Sequence, residues 1–181
     1  TEDALRTMLR QPLVVAAGEC GLDYNRDYSP RNAQRAAFAR QVELAAASGR
    51  ALFLHQRDAH QDFLAILREQ GSRLPTGVGH CFTNGPEEMA DYLDLGLHIG
   101  ITGWICDERR SSELRRAVAS LPLDRVLVET DCPYLLPRSI RPQPRSRRNE
   151  PETLPEVVRV LASFMNMGPE VAAEATTRNA Q

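Results

Sequence analysis

The sequence predicts an α/β protein built on a parallel sheet, and three observations carry that prediction. Short apolar runs alternate strictly with segments of helical periodicity over the 181 residues. The runs are close to continuously apolar, as strands buried on both faces are. Four of them close on an acid or an imidazole, namely Glu19, His55, His80 and Asp131. A closed TIM barrel brings the ends of different strands together at its C-terminal mouth, whereas an open doubly wound sheet fans them apart. The four polar ends therefore favour the barrel.

Taken in order, Leu5, Met8 and Leu9 at helical spacing, halted by Pro12, predict an opening helix over 1–10. The run from Leu13 predicts a strand over 13–19 that stops at Glu19. Ser29-Pro30 is a cap and first-turn signal for a long helix with Phe38, Val42 and Ala45 in one stripe and Gly49 past its end. A strand over 51–55 delivers His55. Asp58 is placed to cap the next helix, with Phe63, Leu64 and Leu67 inward and Gly71 as its stop.

A strand over 77–81 delivers His80, and Pro86-Glu87-Glu88 opens a short helix with acids in its first turn. The strand over 97–102 runs into Gly103-Trp104. Ser111 or Ser112 begins a helix through Leu114 and Val118 that Pro122 terminates, and the strand over 125–130 leads to Asp131. Pro133 has no N–H for a ladder, so that strand must end near the acid. A Pro- and Arg-rich loop spans 135–152; Leu154, Val157, Val158 and Leu161 then mark a helix and Pro169 begins another. Eight-stranded barrels take about 250 residues. The five strands are thus expected to be the last five of eight, in one domain that is N-terminally incomplete, with an open strand edge that favours association.

Composition bounds the function. A net charge of −2 excludes a globally basic nucleic-acid binder, so anion recognition has to be local. Hydrophobic residues make up 42% and charged residues 25%, enough for a sizeable core. Cys20, Cys81, Cys106 and Cys132 contain no Cys-x-x-Cys spacing, which predicts a reduced, cytoplasmic protein. Strand alternation turns Cys20, Cys81 and Cys132 away from the Glu19, His80 and Asp131 that precede them, as small core residues. No run approaches the ~20 apolar residues of a membrane span, and Thr1-Glu2-Asp3 is no signal peptide.

Glu19, His55, His80 and Asp131 combine two carboxylates with two imidazoles, a donor set suited to Mg2+, Mn2+ or Zn2+ and to the activation of water. Asp23, in the loop expected beyond Glu19, is a candidate to orient a substrate or to form a turn, and Arg57, two residues past His55, is a candidate phosphate contact. His60 and His98 read as solvated or core histidines. The stretch 138–148 holds five Arg, among them Arg138, Arg147 and Arg148, and no acid. Arginine forks match phosphate oxygens, so this loop is a candidate polyanion surface. Trp104 and Tyr134 leave strand ends on the same side, where an aromatic ring can stack on a base.

Five motifs together carry a family resemblance: Gly18-Glu19-Cys20-Gly21-Leu22-Asp23-Tyr24, His55-Gln56-Arg57-Asp58-Ala59-His60, Gly79-His80-Cys81-Phe82, Gly100-Ile101-Thr102-Gly103-Trp104, and Glu129-Thr130-Asp131-Cys132-Pro133-Tyr134-Leu135-Leu136-Pro137-Arg138. The chain resembles the TatD family of metal-dependent deoxyribonucleases over essentially its whole length. Ile105-Cys106-Asp107-Glu108-Arg109-Arg110 and Arg147-Arg148-Asn149-Glu150-Pro151 resemble the bacterial branch of that family.

The resemblance implies a TIM-barrel metal-dependent hydrolase that cuts phosphodiesters, with 3′-to-5′ exonuclease activity on single-stranded DNA and RNA and a role in DNA turnover or repair. It implies Mg2+ or a similar divalent ion, up to two per complete site, with Glu19, His55, His80 and Asp131 as ligands and Glu19 and Asp131 at the chemistry. It also implies a leading His-x-His strand and two further strands that this sequence does not contain. Two alternatives are an amide or lactone hydrolase of the same barrel type, and a non-enzymatic interaction module.

Overall fold

The computed structural model describes all 181 residues. They form two compact units, residues 1–79 with 94–97, and residues 80–93 with 98–181.

The first unit runs α1 (Glu2–Leu9), β1 (Ala16–Asp23), α2 (Arg31–Ser48), β2 (Ala51–Arg57), α3 (His60–Arg68), a 3-10 turn (Gly71–Arg73) and β3 (Gly77–Gly79). β2 lies between β1 and β3, all parallel, with Asp23 opposite Arg57 and Leu54 opposite Gly79. The apolar stripes found in the sequence make the core. Phe38 of α2 stacks on Phe63 of α3 with ring centroids 5.2 Å apart, and Val42, Ala45, Leu64 and Leu67 are buried beside them. Gly49 ends α2 at φ 65°, a left-handed conformation that glycine adopts without a Cβ penalty.

Four local expectations are corrected in this unit. The first strand begins at Ala16, not at 13, because a turn after α1 uses the leading apolar residues: Gln11 N–H donates to Met8 and Val14 N–H to Gln11. Leu13 and Val15 are consequently exposed. The strand instead continues to Asp23, where β2 still supplies partners, so Glu19 lies inside β1 and not at its end. Asp58 does not cap α3. The Gln56 Oε1 accepts the Ala59 N–H at 2.9 Å, while Asp58 accepts from Asn25 Nδ2 at 3.1 Å. Pro30 precedes α2 in an extended conformation, with no side-chain cap.

The second unit contains most of α4 (Pro86–Asp94), then β4 (His98–Ile101), a 3-10 turn (Gly103–Cys106), α5 (Ser112–Val118), β5 (Val126–Val128), a 3-10 turn (Pro151–Thr153), α6 (Leu154–Phe164) and α7 (Pro169–Asn179). β4 and β5 are parallel, Ile99 opposite Val126 and Ile101 opposite Val128. Val157 and Leu161 of α6 and Ala172 and Ala175 of α7 are buried. The α7 C-terminus is tied to β5 by Asn179, whose Nδ2 donates to Leu123 O at 2.9 Å and Val126 O at 2.8 Å.

The long loop after β5 is pinned by Asn149, which is 1% exposed. Its N–H donates to Pro133 O at 3.0 Å, its Nδ2 to Thr130 O at 2.8 Å, and its Oδ1 accepts from Thr153 Oγ1 at 2.6 Å. Cys20 is buried as expected, but Cys132 is exposed. Residue 132 lies beyond β5, so strand alternation does not govern where its side chain points. No helix is long and apolar enough to cross a membrane.

Candidate metal centre

In the first unit the site is built on a bulge. Ala17 pairs with Leu52 but Cys20 pairs with Leu54, so β1 carries one extra residue at Gly18-Glu19. Gly18 is required there, since a Cβ would lie 2.5 Å from the Phe53 carbonyl oxygen. Downstream of the bulge the two strands are back in phase. Cys20 and Leu22 face the core with Leu54, and Glu19, Asp23 and His55 share the other face.

Both His55 nitrogens are consequently occupied by carboxylates: Nδ1 lies 2.9 Å from Glu19 Oε1 and Nε2 lies 3.2 Å from Asp23 Oδ2. The two acids differ in freedom. The Glu19 side chain is 49% exposed and Asp23 17%. Asp23 Oδ1 accepts the Arg26 and Asn25 N–H groups at 2.8 and 3.0 Å, and its own N–H donates to Gln34 Oε1 at 2.9 Å. Burial of Asp23 opposes ionisation, yet the Arg26 N–H, His55 and the Asn25 N–H outweigh it and hold the carboxyl below its ordinary pKa. Asp23 is thus a fixed anion that grips one side of an imidazole.

The second unit repeats the device. Immediately beyond β3, His80 donates or accepts through Nδ1 to Glu129 Oε2 at 2.7 Å, and the same oxygen accepts the Cys81 N–H at 3.0 Å. His80 Nε2 is 3.7 Å from Asp131 Oδ1. Glu129 has room only because residue 100 is glycine: a Cβ there would stand 2.5 Å from Glu129 Oε1. A carboxylate on Nδ1 favours the tautomer with the ring proton there, in which the Nε2 lone pair is turned toward Asp131. Glu129 was not singled out by the sequence reasoning. The available signal was the Glu-x-Asp spacing at a strand end, which puts Glu129 and Asp131 on one face if the extended chain continues.

Oxygen and imidazole nitrogen donors suit Mg2+, Mn2+ or Zn2+, and a ligand histidine held through its other nitrogen by a carboxylate is the usual outer support of a metal site. No group of three or more His, Cys, Asp or Glu side chains is arranged as a ready-made metal cage. The donors are present as carboxylate–imidazole pairs.

The other candidate residues are more dispersed. Arg57 is the exposed last residue of β2. Trp104 and Arg138 line one groove with Arg147, whereas Arg148 sits 3.6 Å from Glu150. Asp107, 2% exposed, receives Arg109 through Nε at 2.9 Å and Nη2 at 2.8 Å, and Arg110 through Nε at 2.9 Å. These guanidiniums hold its carboxyl far below the ordinary range, Arg109 most of all.

The chain is similar to known proteins along its whole length. The model of the "TatD related DNase" family matches residues 1–181. A protein of Klebsiella pneumoniae named "3'-5' ssDNA/RNA exonuclease TatD" is 52% identical over 90% of this chain and 62% of its own length. A Citrobacter koseri protein of the same name is 49% identical over 99% of this chain and 69% of its own. The chain therefore spans about two-thirds of the length of these relatives.

Among solved structures, YJJV, a TatD homolog from Escherichia coli, superposes with a TM-score of 0.87 at 29% identity, covering 99% of this chain and 68% of that one. An amidohydrolase from Saccharomyces cerevisiae superposes with a TM-score of 0.82 at 20% identity, covering 99% of this chain and 68% of that one, a likeness of fold alone. The architecture is accordingly that of the TatD-type TIM barrel, of which this chain supplies five strands. With the motifs, the fold and a match that runs from the first residue to the last, the chain belongs to the TatD-related DNase family.

Proposed function

We propose that this chain is a single hydrolase domain of a metal-dependent 3′-5′ exonuclease that acts on single-stranded DNA and RNA, with Mg2+ as its ion. The observation that carries the proposal is His80, gripped through Nδ1 by Glu129 so that Nε2 faces the Asp131 carboxylate 3.7 Å away. Relatives at about half identity bear the exonuclease name.

In this proposal His55 and His80 are metal ligands, Glu19 and Asp131 are ligands and catalytic carboxylates, and Glu129 keeps the proton on His80 Nδ1. A divalent ion bound at such carboxylate–imidazole pairs would supply a Lewis acid for the phosphodiester and make hydroxide available from water at neutral pH. Asp131 accepts the proton of the attacking water. The contact of Asp23 with His55 makes it a positioning group for that imidazole, in addition to the substrate contact expected from its place in the sequence. Arg57, Arg138, Arg147 and Arg148 bind phosphates as planar forks, and Trp104 offers a ring to a base.

The test is degradation of 3′-labelled and 5′-labelled single-stranded oligonucleotides by this chain with Mg2+, against Glu19→Ala, Asp131→Ala and added chelator. Stepwise shortening from the 3′ end that each variant and the chelator abolish is the expected result. Shortening that persists in chelator, or in both variants, overturns the assignment.

A further inference from the structure

The second unit holds a groove that the metal-binding pairs do not use. The 3-10 turn Gly103–Cys106 and the loop over 135–147 enclose about 550 Å³, lined by Trp104, Arg110, Arg138, Arg141, Arg145 and Arg147. Its floor depends on Gly103, where a Cβ would come within 2.0 Å of the Leu135 carbonyl oxygen, so the loop lies directly on the turn.

Asp107 is the only acid in the lining, and Arg109 and Arg110 already engage both of its oxygens. A groove with several guanidiniums and one saturated carboxylate has an uncompensated positive field and attracts an anion. A neighbouring space of about 430 Å³ shares Asp107, Arg138 and Arg141 as lining and sets Arg109, Arg115 and Arg159 against one further acid, Glu108, so the field there has the same sign.

Two further observations narrow the anion. The Arg110 guanidinium lies 4.2 Å from the centre of the Trp104 ring, and the buried indole N–H of Trp104 has no hydrogen-bond partner. An unpaired indole donor beside a stacked guanidinium suits a flat ring that also carries acceptors. Phosphates joined to such rings, with ring faces free, describe a single strand of nucleic acid; a duplex keeps its ring faces stacked inside.

We propose that this groove is a strand-holding subsite for single-stranded nucleic acid, with a base against the Trp104–Arg110 pair, phosphates on Arg138, Arg141 and Arg147, and Asp107 as the positioning residue. The proposal rests on the nuclease assignment above and adds the strand's path and the residue that arms it. Asp107 acts through others: by fixing Arg110 from below it keeps that guanidinium parallel to the strand's bases and spares it the entropy of ordering on binding.

Trp104 is the one tryptophan of the chain, so its fluorescence reports on this groove alone. The experiment titrates short oligo-dT into the chain in chelator, where nothing is cleaved, reading Trp104 emission and, in parallel, anisotropy of a labelled oligonucleotide. Saturable quenching, with a dissociation constant that rises steeply with salt, is expected. Arg138→Ala with Arg141→Ala, on an exposed loop where folding is safe, should weaken binding about tenfold and flatten the salt slope by about 1.4, at about 0.7 per lost phosphate contact on a single strand.

Asp107→Asn should weaken binding several-fold and shift the emission of the free chain, and Asp107→Glu should restore part of both. A purely structural Asp107 would change the unfolding midpoint and leave emission and salt slope of the folded variant as they were, which overturns its positioning role. Binding seen by anisotropy with silent Trp104 and unaltered loop variants overturns the subsite and leaves the nuclease assignment standing. A chain that binds no single strand in chelator overturns the subsite, while the nuclease assignment stands or falls on the cleavage assay with Mg2+.

Discussion

Glu129→Ala tests most directly what the second unit's geometry is for. The Glu129 Oε2 holds two donors, His80 Nδ1 at 2.7 Å and the Cys81 N–H at 3.0 Å, and its side chain is 13% exposed. A hydrogen bond to a charged partner contributes about 1.5–3 kcal/mol, so losing two should destabilise the fold by about 3–4 kcal/mol after some repair by water. Metal affinity should fall about 10–100-fold, the usual result of removing a carboxylate behind a ligand histidine.

Glu129→Gln separates the two effects, because a carbonyl oxygen at the Oε2 position can accept from both donors while the charge is gone. It should recover most of the stability, to within about 1 kcal/mol, and only part of the affinity. Urea unfolding with and without Mn2+, and calorimetric titration of Mn2+ into each folded variant, read both quantities. Metal affinity unchanged in Glu129→Ala would refute the view that Glu129 sets which His80 nitrogen carries the proton.

Three other predictions follow from separate parts of the molecule. Asn149→Ala removes one donated and one accepted side-chain bond from a residue 1% exposed, leaves its backbone bond to Pro133 in place, and should cost about 2 kcal/mol, with early proteolysis of the 135–148 loop as its signature. Thiol labelling at neutral pH should modify Cys132 first and spare Cys20 and Cys106, whose thiols burial pushes up to about 12 and about 11; label mapped to Cys20 or Cys106 as early as to Cys132 would contradict this. Asp107 has a pKa depressed in the folded state, so its ion pairs stabilise above the ordinary carboxylate value and are lost as pH falls through the folded one. The stability difference between the native chain and Asp107→Asn should accordingly be full at pH 6 and shrink below about pH 4, as measured by denaturant midpoints.

The sequence by itself determined the class of fold and marked the candidate donors. Strand–helix alternation is a local property, written in apolar periodicity, and the stripes at Phe38, Val42 and Ala45 or at Phe63, Leu64 and Leu67 are buried where that periodicity puts them. Glu19, His55, His80 and Asp131 were legible because polar side chains interrupt runs that otherwise have to be apolar. Pairing was not legible. The bulge at Gly18-Glu19, the continuation of β1 to Asp23 and the clamp of Glu129 on His80 each depend on which backbone lies alongside, across separations of up to 49 residues.

The same holds for the arginines. The sequence shows a basic loop, whose default fate is a solvated face, and only the packing of residues 135–138 on Gly103 sets Arg138 beside Asp107. Asp107 itself sits in an acid- and arginine-rich stretch with nothing in its type or spacing to mark it as buried. The Asp107 carboxylate is 2% exposed because guanidiniums cover it, and that cover comes from both its immediate neighbours and a loop some thirty residues on. Local periodicity is encoded residue by residue, whereas the partner of a polar atom is a property of the assembled chain.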